Sequence, residues 1–169
     1  MIIAISGTPG TGKHTLAKEL ARKTNYEILD LNRILKKGAK EREVTLKEVN
    51  EAFQKNKKDN LLVISHLSHF IRSKSINFVI VLRTDPLILI KRLEKRGYKR
   101  EKIHDNALFE AMNGTYAEAL KMKMKVFQIN NTKNINNTVK KAMSIIAGKG
   151  NGEKVDFSDR ILKVEKMFK

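Results

Sequence analysis

An apolar run over residues 1–6 (MIIAIS) leads directly into GTPGTGKHT, residues 7–15. From Lys13 onward the apolar residues Leu16, Ala17 and Leu20 fall at helical spacing. A buried strand, a glycine-rich turn and a helix opening at Gly-Lys leave few folds open. The glycines admit positive φ and let backbone N–H groups approach an anion. The helix opening adds its N-terminal partial charge. In this strand–loop–helix context the stretch reads as a phosphate-binding loop. Gly10, Thr11, Gly12, Lys13, His14 and Thr15 are the expected nucleotide-binding residues. Lys13 would reach the β- and γ-phosphates of a bound nucleotide and stabilise the transferring group.

One residue departs from the usual pattern. His14 stands where most such loops place a Ser or Thr whose hydroxyl holds Mg²⁺. An imidazole is a poor ligand for that hard ion. The backbone amides of His14 and Thr15 can still bind phosphate, so the substitution bears on the metal and not on the nucleotide. No side chain is assigned as a direct metal ligand. His14 itself reads either as a functional residue or as an exposed first-turn position without a role.

Further apolar runs predict strands at 26–31 (YEILDL), 61–65 (LLVIS), 77–83 (NFVIVLR) and 125–130 (KVFQIN). Helices are expected between them. Thr45 and Glu48 form a capping-box pattern, Pro86 opens a helix that Gly97 ends, and Asn113-Gly114 kinks a long helical stretch. Alternating strands and helices imply parallel pairing with right-handed crossovers, hence an α/β three-layer domain. Residues 1–148 are expected to form it. Residues 149–169 read as a basic C-terminal extension, either a short final helix starting at Ser158 or Asp159 or a loose tail.

Composition narrows the setting. The chain has 169 residues, enough for one domain, and no Cys, which excludes disulfides and Cys-based zinc sites. No run reaches about 18 apolar residues, so no membrane span is expected and a cytoplasmic location is. The net charge is +17, from 35 Lys+Arg against 18 Asp+Glu. That field attracts polyanions such as nucleotides or RNA; a Lys-rich compositional bias accounts for it equally well.

Several separated segments add a resemblance: the loop itself, HLSH (66–69), VLRTDP (81–86), RLEKRGY (92–98), KIHDN (102–106) and Glu110. Together, over roughly residues 1–145, they resemble the adenylate kinase isoenzyme 6 family, also called coilin-interacting nuclear ATPase, in its archaeal form. The resemblance implies a P-loop NTPase of the nucleoside monophosphate kinase type. Its five-stranded parallel sheet would be flanked by helices, with a monophosphate-binding insert at about 29–46 and a short lid at about 95–105. It implies ATP and Mg²⁺ as cofactors and AMP or another nucleoside monophosphate as acceptor. It also implies a part in small-subunit rRNA maturation, through rRNA and the platform ribosomal protein S-eleven.

By the same resemblance Arg96 binds ATP near the adenine, and His66, with Lys13 and Arg96, belongs to the catalytic set. His66 would order an attacking water or the Mg²⁺ shell, or else bond the backbone as a loop histidine. Family members carry an acidic residue two positions before that histidine; here it is Ile64, which leaves Asp30 and Asp85 as the nearby carboxylates. Arg92 pairs either with phosphate or with Glu94 or a lid carboxylate. Arg83 ends a strand where open sheets place ligands. Arg33, Lys36, Lys37 and Arg42 either hold a monophosphate or form a solvated basic face. Asn106 and Glu110 are expected to brace the lid, His69 to be structural, His104 to be exposed, and residues 130–132 to read adenine with backbone groups.

Overall fold

A computed structural model describes residues 1–36 and 44–169. Five strands, β1 (Ile2–Ser6), β2 (Glu27–Asp30), β3 (Leu61–Ile64), β4 (Ile76–Arg83) and β5 (Val126–Asn130), form one sheet in the order β2-β3-β1-β4-β5. Every pairing is parallel. The fold is therefore the P-loop, nucleoside monophosphate kinase-like α/β architecture. β1 lies between β3 and β4, so the loop leaving its C-terminal end opens where the chain's connections diverge, the usual ligand crevice of such sheets.

The central strands have two apolar faces because helices cover both. Ile3 and Ile5 pack with Leu16 and Leu20 of α1 (Lys13–Lys23) and with Val139, Ala142 and Ile145 of α7 (Ile135–Ile146). Ala4, Val79 and Val81 face the other way, onto Val49 and Phe53 of α3 (Leu46–Asn56) and Ala119 of α6 (Gly114–Lys121). The Thr45–Glu48 capping box is formed at the start of α3, and Asn113, at φ 63°, breaks α6 from α5 (Arg100–Ala111). A third apolar cluster joins Leu89, Ile90 and Leu93 of α4 (Pro86–Glu94) to Ile103, Ala107 and Val164.

Val164 belongs to α8 (Ile161–Phe168), so the end of the chain is packed against α5 and is not a loose tail. Before α8, Glu153 N donates to Gln128 O (2.8 Å) and Asn130 N donates to Glu153 Oε2 (2.8 Å). These bonds cover part of the edge that β5 would otherwise leave unpaired. α2 (Leu31–Lys36) follows β2. Lys37 and Arg42, the Lys36 side chain and much of the insert expected at 29–46 lie outside the described residues. Among the described residues, no helix is long and apolar enough to cross a membrane.

Candidate functional site

The glycine loop is wedged between α4 and the loop after β5. A Cβ on Gly10 would lie 2.7 Å from Leu89 Cδ1, and one on Gly12 would lie 2.4 Å from Asn131 Nδ2. Both glycines hold positive φ, 91° and 99°, so they are fixed by space and by backbone conformation together. Asn131 Nδ2 donates to Thr11 O (2.7 Å), and Thr11 Oγ1 donates to Thr8 O (2.9 Å). The loop is thus held by its own threonine and by the end of β5.

Lys13 is buried. Its Nζ donates to Gly7 O (2.6 Å) and Thr8 O (3.0 Å). Burial pulls its ammonium down to about 7, with Glu110 and Asp30 opposing the fall and Arg96 adding to it. A polyanion at the loop would reverse much of that shift. Lys13 lines a cleft of about 400 Å³ together with Gly12, His14, Asp30, Asn32, Arg33, His66, Arg96 and Tyr98. A second hollow of about 270 Å³ adjoins it, walled by Gly12, Thr15, Arg92, Arg96, Asn131 and residues 133–135. Arg96 is exposed and lines both.

Lys13, Arg96 and His66, expected to act together, do line one cleft, as do Gly10, Gly12, His14 and Thr15. Thr11 is buried beneath the loop. His66 Nδ1 donates to Asn32 Oδ1 (3.2 Å), which also accepts from Ser65 Oγ (3.0 Å). His14 is exposed, but its Nε2 donates to Asp30 Oδ2 (2.8 Å). Asp30 Oδ1 accepts from Arg33 N (3.1 Å) at the start of α2.

Other side chains stand elsewhere than the sequence suggested. Arg83 does not face the crevice. It is 1% exposed, with Nε donating to Glu110 Oε1 (2.7 Å) and Nη1 to Gln128 Oε1 (2.6 Å) and to Asn113. Glu110 also accepts from Thr84 N (3.1 Å) and Thr8 Oγ1 (2.5 Å), tying α5 to the glycine loop. Asn106 takes no part in this and bonds Lys102 O (2.5 Å). Arg92 meets neither Glu94 nor a lid carboxylate. Its guanidinium donates to Gly10 O (3.4 Å), Asn131 O (3.1 Å) and Thr132 O (3.1 Å), a clamp across the second hollow. His104 is half-covered, against Glu165 (3.3 Å) and the Phe168 ring, because α8 lies on it. His69, by contrast, stands as a structural residue was expected to: it is buried, bonded to Ser6 Oγ (2.7 Å) and Glu118 Oε2 (3.1 Å), and burial lowers it to about 4.

The donor set does not match direct ligation of Mg²⁺ by a loop hydroxyl. The hydroxyl position holds His14, and Ile64 takes the expected carboxylate position. Asp85 is committed to Leu87 N (2.9 Å) and Arg160 Nε (3.0 Å). Asp30 is the carboxylate at the cleft, and it is joined to an imidazole.

A parallel sheet in this order, with a buried lysine behind a glycine loop and arginines across a cleft, defines a P-loop domain of the nucleotide-kinase type. Residues 3–113 match the AAA domain family. A protein of Thermococcus kodakarensis named "Putative adenylate kinase" is 40% identical over 139 residues, 78% of this chain and 77% of that one. One of the same name from Methanosarcina acetivorans is 37% identical over 149 residues, 78% of each chain. The chain belongs to this P-loop AAA domain family, together with these archaeal relatives. In fold it is similar to a shikimate kinase from Bacteroides thetaiotaomicron (TM-score 0.63, 15% identity, 87% of this chain and 98% of that chain). It is likewise similar to deoxyadenosine kinase from M. mycoides with bound dATP (TM-score 0.58, 20% identity, 87% and 99%).

Tyr98, Asn32 and the Thr8–Glu110 contact were not assigned to the site from sequence. Tyr98 lay within the RGY segment, so its position was visible although its role was not. The Thr8–Glu110 bond joins residues 102 apart in the chain and leaves no local pattern.

Proposed function

We propose that the protein is an ATP-dependent nucleoside monophosphate kinase, an adenylate kinase that converts ATP and AMP to two ADP. One observation carries the reading: the cleft runs continuously from Lys13 and the glycine loop, past Arg96, to Asn32 and Arg33 at the start of α2. A donor triphosphate on the loop would have its base beside Arg96 and residues 131–135. An acceptor monophosphate would enter from the α2 side, facing the γ-phosphate. Phosphoryl transfer asks for positioning and charge neutralisation, and Lys13, Arg96 and the loop amides would supply both. His66, fixed by Asn32, stands where it can order a water, and hydrolysis in place of transfer would then be a side reaction.

The archaeal relatives bear an adenylate kinase name, and the segments quoted above favour the isoenzyme 6 subfamily. The +17 charge supports a second reading, an ATPase acting in small-subunit maturation beside rRNA and platform protein S-eleven. Diadenosine pentaphosphate, two adenosines joined through five phosphates, tests the first reading. It should bind one to one, compete with both ATP and AMP, and lose its affinity in Lys13→Ala. Competition with ATP but not with AMP would contradict a kinase and turn attention to salt-dependent rRNA binding.

A further inference from the structure

We propose that His14 and Asp30 together form a divalent-cation site that only a bound triphosphate completes, and that its imidazole shifts the preferred cation from Mg²⁺ toward Co²⁺ or Zn²⁺. The proposal rests on the nucleotide reading above. His14 Nε2 and Asp30 Oδ2 are 2.8 Å apart. Two donor atoms at right angles on one cation, each at a bond length of about 2.1 Å, lie about 3.0 Å apart. The pair is thus already near the spacing that shared ligation requires; the cation would sit to one side of the Nε2–Oδ2 line, with the imidazole deprotonated at Nε2 and turned to present its lone pair.

The carboxylate is held for this use. Arg33 N fixes Oδ1 and leaves Oδ2 turned to the imidazole. Both side chains line the cleft that holds Lys13, on the side where loop-bound phosphates would stand. The other carboxylates near the loop are spent: Asp85 on α4 and Arg160, Glu110 on Arg83, Thr84 and Thr8.

Among the described residues, no group of three or more His, Cys, Asp or Glu can hold a metal ion. The protein therefore offers two donors, and phosphate oxygens and water must supply the remainder. Mg²⁺ demands oxygen ligands, whereas imidazole suits later first-row cations. A mixed nitrogen–oxygen pair in place of a hydroxyl should therefore change the preference.

The test uses the full chain with the non-hydrolysable β,γ-methylene analogue of ATP. Analogue binding is first measured with EDTA present, which reads the Lys13 loop alone. Co²⁺ and Mg²⁺ affinities of the analogue complex are then compared in wild type, His14→Thr and Asp30→Asn. Mn²⁺ serves as a spectroscopic probe for ¹⁴N coupling from a ligated imidazole. His14 is exposed on the first turn of α1, so His14→Thr should fold, and thermal melting checks this. The expected result is ¹⁴N coupling in the wild-type analogue complex that vanishes in His14→Thr. With it, the Co²⁺-over-Mg²⁺ ratio should fall at least about tenfold in His14→Thr, whereas Asp30→Asn should weaken both cations and leave the ratio no lower. Bound analogue with no ¹⁴N coupling, and equal ratios in wild type and His14→Thr, would overturn the site while leaving nucleotide binding intact. Tight Co²⁺ binding without the analogue would overturn its completion by nucleotide. No analogue binding under any condition would remove the nucleotide reading and the site with it.

Discussion

Lys13 should take up a proton when a triphosphate binds. Burial draws its ammonium down to about 7 from the ordinary lysine value of 10.5. At pH 8 about nine tenths of the free protein then carries a neutral lysine, and at pH 6 about one tenth does. A triphosphate against Nζ favours the charged form, so binding draws in the missing proton. The expected uptake is about 0.9 proton per nucleotide at pH 8 and close to 0.1 at pH 6. Each pH unit well above 7 costs about 1.4 kcal/mol, so affinity should fall roughly tenfold between pH 8 and 9. Titration calorimetry of ATP binding in two buffers of different ionisation enthalpy measures the uptake directly. Uptake near zero at pH 8, with affinity flat from pH 7 to 9, would refute the argument and place Nζ in a solvated, permanently charged setting.

The two arginines of α4 and its C-terminal turn should separate cleanly. Arg92→Ala removes the donor shared by the Gly10, Asn131 and Thr132 carbonyls and should cost about 2–3 kcal/mol in urea unfolding. Arg96→Ala should leave stability within about 0.5 kcal/mol while weakening ATP binding about tenfold in the same titration format. Glu110→Gln strips the buried Arg83 of its counter-charge and should destabilise by about 3–5 kcal/mol, read as a lower denaturation midpoint. His69 is lowered by burial to about 4 in the folded protein against the ordinary histidine value of 6.5, so the unfolded chain binds more protons between them. Stability should therefore be lost as pH falls from about 6.5 to 4, by up to about 3 kcal/mol, and His69→Gln should flatten that part of the curve.

Local sequence carried the sheet and the loop because their signals are local. β1 and β4 are apolar runs that helices must cover on both faces, and Gly7-to-Thr15 has one sensible conformation between a strand and a helix. The capping box at Thr45 and the break at Asn113 are equally short-range. What stayed hidden depends on distant partners. Arg83 looked like a ligand residue at a strand end; only the packing of α5 and of Gln128 on β5 shows that it is buried. His104 looked exposed because nothing in residues 100–111 announces that α8 returns to lie on them. His14 read as an odd first-turn residue until β2 brought Asp30 to its ring. The charge run of α2 and the residues after it could not be sorted into acceptor site or solvated face by pattern alone.

The most direct test of the central claim is ADP formation from ATP with its divalent cation, with and without AMP, for wild type and Lys13→Ala. AMP should accelerate ADP formation manyfold, and Lys13→Ala should abolish it. Slow ADP formation that ignores AMP, or turnover unchanged in Lys13→Ala, would contradict it.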